Sequence, residues 1–141
     1  MNLELTSNPS HEDESKVIDK IREFNLDLVP THVERLCVFD RLDSGEVIGG
    51  LVGKTYWGYL DISYLWVDDS YRNQGRATLI VRMAEEEAIR RGCKNAQVDT
   101  YSFQALDFYK KLGYSEFGSI DGVSGKHVRH YLRKYLQPQK D

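Results

Sequence analysis

The chain has 141 residues, 40% of them hydrophobic and 29% charged, with a formal net charge of -3, the balance of a globular protein rather than a disordered or membrane-embedded one. That length fits one domain able to bury about two-thirds of its unfolded surface, and the charge lacks the basic excess that binding to a phosphate backbone requires, which argues against nucleic acid as a partner. No apolar run approaches the ~20 residues of a membrane span and the N-terminus, with Glu4, does not read as a signal peptide, so a single cytoplasmic domain over residues 1–141 is expected.

The first element is a helix. Ser10 and Asp13 approximate a capping box, Val17, Ile18, Ile21, Phe24 and Leu28 recur at helical spacing, and Pro30 marks the end. Arg35 to Leu42 and Glu46 to Thr55 are rich in Val, Leu, Ile and Phe and flank Asp43-Ser44-Gly45, which predicts an antiparallel hairpin, with a third strand over Tyr59 to Val67. The period then changes: Ala77, Ile80, Val81, Ala84 and Ala88 share one face of a helix over Gly75 to Arg91, closed by Gly92. Asn95 to Tyr101 reads as a strand, Ser102 as an N-cap, and Phe103 to Leu112 as a short helix stopped by Gly113. Tyr114 to Ile120 and Val128 to Tyr135 complete the chain as two antiparallel strands around a Gly-rich turn.

Cys37 and Cys93 have neither the spacing nor the His-rich surroundings of a metal site or disulfide framework, and both are expected to be reduced and structural. His127 and His130 stand three apart in a basic strand and make no metal pattern.

Between the third strand and the long helix lies Asp68-Asp69-Ser70-Tyr71-Arg72-Asn73-Gln74-Gly75-Arg76-Ala77. A loop that delivers the chain directly to a helix N-terminus suits an anion, because the amides of the first turn lack intrahelical acceptors and sit at the positive end of the helix dipole. Gly75 and Ala77 let phosphate oxygens approach the backbone, and Arg72 and Arg76 add charge. Neither a dinucleotide G-x-G-x-x-G nor a P-loop G-x-x-x-x-G-K-[ST] is present. Taken alone, the segment reads equally as an ordinary glycine-containing loop with a helix cap.

Arg72-Asn73-Gln74-Gly75-Arg76-Ala77 resembles the pyrophosphate loop R/Q-x-x-G-x-G/A of the GNAT superfamily of acyl-CoA-dependent N-acyltransferases. A second motif of that superfamily, N-x-x-A-x-x-[FLY]-Y-x-K-x-G-[FY], is matched by Ser102 to Tyr114 except at its first position, where Ser102 replaces the usual Asn. The resemblance covers at least Leu60 to Tyr114. It implies a mixed α/β fold with a mainly antiparallel, splayed central sheet flanked by helices, and acetyl-CoA as co-substrate. Its pantetheine arm would pair with the backbone of Leu65, Trp66 and Val67, its pyrophosphate would sit on Arg72, Asn73, Gln74, Gly75, Arg76 and Ala77, and Ser102 would stand near it.

The same resemblance implies transfer of an acetyl group to a primary amine by direct attack. Tyr109 then occupies the position of the general acid that protonates the departing thiolate, a role a phenol fills well because it stays protonated at neutral pH. The helical face of Ala105, Phe108, Tyr109 and Leu112 allows a plain packing role as well. Asp61, on the third strand, is placed where some members carry the base that removes the amine's proton, and it reads equally as a solvated strand residue. Asp99 and Tyr101, on the next strand, are weaker candidates for the acceptor cleft. The acceptor is a small-molecule or peptide amine, neither nucleic acid nor membrane is a partner, and a homodimer through the C-terminal strands accords with the family. A catalytically silent acyl-CoA-binding module is the alternative.

Overall fold

The computed structural model describes residues 1–137. The chain divides into two units, the first Met1–Thr31 and the second from His32 onward, and the single domain expected over residues 1–141 ends in residues 138–141, outside the described residues.

The first unit consists of helix α1, His11–Leu28. Ser10 Oγ accepts from the amide of Asp13 at 3.1 Å, and Glu12, Asp13 and Glu14 lie against the positive end of the dipole. The periodic apolar residues form the expected stripe, yet no residue of α1 is buried, and Val17 remains 71% and Phe24 59% exposed.

The second unit is built on a six-stranded sheet of order β1-β2-β3-β4-β6-β5. Its strands are β1 Glu34–Arg41, β2 Val47–Tyr56, β3 Tyr59–Val67, β4 Asn95–Tyr101, β5 Ser115–Val123 and β6 His127–Tyr135. Every neighbouring pair is antiparallel except β3 and β4, whose parallel alignment is made possible by a crossover through helix α2, Arg76–Arg90. Alternation in β2 turns Leu51 and Thr55 to the α2 side, where Ile80, Val81, Ala84 and Ala88 meet Leu36, Leu60, Ile62 and Ala96 in one core. Burial of each large aliphatic side chain there contributes about 1.5 to 3 kcal/mol.

The feature that matters most for function is where β3 and β4 part. They pair only from Tyr59↔Asn95 to Ile62↔Val98. At that point β3 bulges: Gly53 of β2 faces Ile62 and Val52 faces Tyr64, so Ser63 is the extra residue. Gly53 permits the distortion, since a Cβ there would lie 2.5 Å from the carbonyl oxygen of Asp61. Beyond the bulge the β3 edge from Ser63 to Val67 has no partner in β4, as the splayed sheet expected from the sequence requires.

Helix α3 covers Leu106–Lys111, shorter than the sequence pattern suggests, and Ser102 does not cap it. The Ser102 amide donates to the carbonyl of Val128 at 2.8 Å and its Oγ accepts from the Val128 amide at 3.1 Å, which holds residue 102 in register with β6. Gln104 Oε1 meanwhile accepts from the Tyr101 amide at 3.0 Å and from Thr100 Oγ1 at 3.3 Å. These bonds keep residues 102–104 in a turn and delay the helix to Leu106.

Candidate active site

A cavity of about 590 Å³ opens where the strands diverge. One wall is the freed edge of β3, with Leu65, Trp66 and Val67; the other is β4 from Val98 to Thr100 together with Ala105, Phe108 and Tyr109. Arg72 and Ala77 close one end. The two sequence motifs, separated along the chain by α2 and β4, therefore meet on a single cavity.

The loop end has the features of an anion cradle. Gly75 caps α2 with φ of 76° and ψ of 8°, a left-handed conformation, and Asn73 also has positive φ. A Cβ at Gly75 would meet nothing within 4 Å, so the space in front of the helix is clear. The first intrahelical bond runs from the Leu79 amide to the Gly75 carbonyl at 3.2 Å, and the amides before Leu79 in the first turn point forward, as at any helix start.

The two arginines are arranged differently from what their charge alone suggests. Arg72 donates from Nε to the Val67 carbonyl at 2.9 Å and pairs with Asp69 at 2.8 Å, which fastens the loop to the end of β3. Arg76 pairs with Asp40 of β1 at 2.7 Å and lies over the ring of Tyr71. Both guanidinium groups brace the loop through contacts within the protein.

Tyr109 is 4% exposed on α3, its ring edge-on to Phe108 and Tyr114. Burial, reinforced by the carboxylate of Asp99, pushes its pKa up to about 12. The phenol is thus held neutral in a mainly apolar wall of the cavity.

Asp61 belongs to the paired stretch of β3, opposite Lys54 and Gln97, and does not line the cavity. Ser102 is also outside the lining and its hydroxyl is taken by Val128. Asp99, in contrast, is the first residue of β4 past the last parallel pair and does line it. Sequence reading put Asp61 ahead of Asp99; both alternate onto the same sheet face, and the end of the pairing separates them. Sequence reading did not single out Gln104, which lines the cavity, or Arg129 of β6, which pairs with Asp99 from far along the chain.

Comparison with known proteins agrees with this geometry. The profile of the family described as Acetyltransferase (GNAT) family matches residues 2–114. Acetyltransferase Atu2258 of Agrobacterium fabrum is 36% identical over 135 residues, 95% of this chain and 98% of that protein. Blasticidin-S acetyltransferase of Streptomyces morookaense is 38% identical over 95 residues, 67% of this chain and 70% of that protein. A crystal structure from Agrobacterium tumefaciens superposes with a TM-score of 0.90 at 34% identity, covering 96% of this chain and 99% of that one. With a parted sheet, a glycine-capped helix start and a buried tyrosine on one cavity, and relatives of this similarity over nearly its whole length, the chain belongs to the GNAT family of acetyltransferases.

Proposed function

We propose that the protein is an N-acetyltransferase that uses acetyl-CoA to acetylate a primary amine on a small molecule. Acetyl-CoA supplies an activated acyl thioester. The cavity residues fit such a molecule: the unpaired edge of Leu65 to Val67 offers backbone groups to an amide-bearing arm, Arg72 and Ala77 line the loop end, and the clear space at Gly75 leaves the start of α2 open to an anion.

Tyr109, kept protonated by burial, would donate from its phenolic oxygen to the leaving sulfur. The observation that carries this reading is the convergence of the loop end, the β3 edge and Tyr109 on one cavity. The blasticidin-S relative supports a small-molecule acceptor, and blasticidin S belongs first in any panel. Asp61, one pair inside the closed part of the sheet, is at most an indirect base acting through water.

The test is release of free CoA from acetyl-CoA against a panel of amines headed by blasticidin S, with calorimetric CoA binding alongside. Amine-dependent release is expected, and Tyr109→Phe should lower kcat by about 10²-fold or more with CoA affinity retained. Tight CoA binding without release from any amine would describe a binding module instead, and absence of CoA binding would refute the site.

A further inference from the structure

The parted sheet gives the cavity a direction. Val98 and Thr100 of β4 are buried toward α2, so Asp99 between them projects to the opposite face. On the facing strand, Tyr64 pairs with Val52 and Trp66 with Gly50, which puts both aromatic side chains on that same face, 73% and 49% exposed. Tyr109 reaches the cavity from the α2 side. The cavity is therefore lined from both faces of the sheet, by a proton donor on one and by a carboxylate and two aromatic rings on the other.

Its charge is also divided. Among the described residues that line it, Asp99 is the only carboxylate and Arg72 the only cation, and Arg72 stands at the end where the loop begins. Asp99 is held in place by Arg129 of β6, whose Nε and Nη2 both reach Oδ2 at 2.9 Å. Its Oδ1 makes no hydrogen bond among the described residues. Tyr131 of β6 pairs with Asp99 across the sheet, Tyr109 of α3 interacts with its carboxylate, and Arg129 lies over the rings of Tyr101 and Tyr131. A carboxylate fixed on one oxygen and open on the other, beside aromatic faces that favour cations, suits an ammonium group.

We infer that Asp99 forms the acceptor subsite: it receives the acceptor's primary ammonium through Oδ1, with Tyr64 and Trp66 flanking the carbon scaffold, on the side of the thioester opposite Tyr109. The inference rests on the cofactor reading above and narrows it to acceptors that present a cationic amine. Asp99 is then a substrate-binding residue and Arg129 a positioning residue.

The test uses two CoA thioethers of equal shape, S-(2-aminoethyl)-CoA and S-propyl-CoA, measured by calorimetry against the intact protein. The wild type should bind the aminoethyl form about tenfold or more tighter, the effect of one charge-assisted hydrogen bond. Asp99→Asn should abolish that preference with the affinity for S-propyl-CoA unchanged, and Asp99→Glu should restore part of it. Equal affinities in the wild type, or a preference that survives Asp99→Asn, would overturn the subsite. Equal weakening of both thioethers in Asp99→Asn would mark the carboxylate as a structural support and overturn it too. Failure of CoA and both thioethers to bind wild type would remove the cofactor reading, and the subsite with it.

Discussion

Tyr114 donates its phenolic hydrogen to Glu85 Oε2 at 2.7 Å, in a contact where both residues are buried. Lys134 Nζ donates to the other oxygen of the same carboxylate at 3.0 Å, so one buried carboxylate ties α2, β6 and the residue just before β5 together. Tyr114 also packs edge-on against Tyr109, with ring centroids 5.6 Å apart, which makes this network the back wall of the proposed proton donor.

Tyr114→Phe keeps the ring and removes the hydrogen bond. It should destabilise the fold by about 1 to 3 kcal/mol, the cost of leaving one buried carboxylate oxygen unsatisfied, as read by urea denaturation. CoA affinity should stay at the wild-type level because the ring that supports Tyr109 remains.

Gly75 tests the anion cradle at two levels. Gly75→Ala places a Cβ on a residue with φ of 76°, which costs roughly 1 to 2 kcal/mol of backbone strain and should weaken CoA binding without abolishing it. Gly75→Glu adds bulk and negative charge to the clear space before α2 and should eliminate CoA binding in calorimetry. Unchanged affinity in the Glu variant would refute the loop assignment.

Buried tyrosines set the alkaline limit of stability. The unfolded chain releases the Tyr109 proton near 10.0, whereas the folded protein keeps it to about 12 because burial and Asp99 disfavour the phenolate. Between those values the unfolded state binds fewer protons, so this contribution is fully present below pH 10, declines as pH rises through that window and is lost above about pH 12. Tyr114, raised by burial and by Glu85, acts in the same direction. Denaturant midpoints should be flat from pH 7 to 9 and fall above 10.0, and Tyr109→Phe should fall less steeply, by on the order of 2 to 3 kcal/mol over the window.

Local signals in the sequence determined much of this protein. Ser10 accepting from Asp13, the 59–67 strand, the glycine-capped start of α2 and the strand over residues 95–101 all form where short-range patterning places them, because caps, turns and alternation are satisfied within a few residues. The loop from Arg72 to Ala77 was legible for the same reason: a glycine directly ahead of a helical period is a short-range signal of a loop that leads into a helix start. Tertiary structure decided the rest. Ser102 has every local property of an N-cap, yet its hydroxyl goes to Val128, a partner twenty-six residues away. The apolar stripe of α1 has the spacing of a core face and stays exposed. Asp61 and Asp99 look alike as alternating strand acids, and only the last β3–β4 pair, Ile62 with Val98, separates the carboxylate inside the closed sheet from the one at the cavity. Periodicity reports which face a side chain takes, whereas the point at which two strands part is set by a bulge, by the room Gly53 gives it, and by packing between segments far apart in the chain.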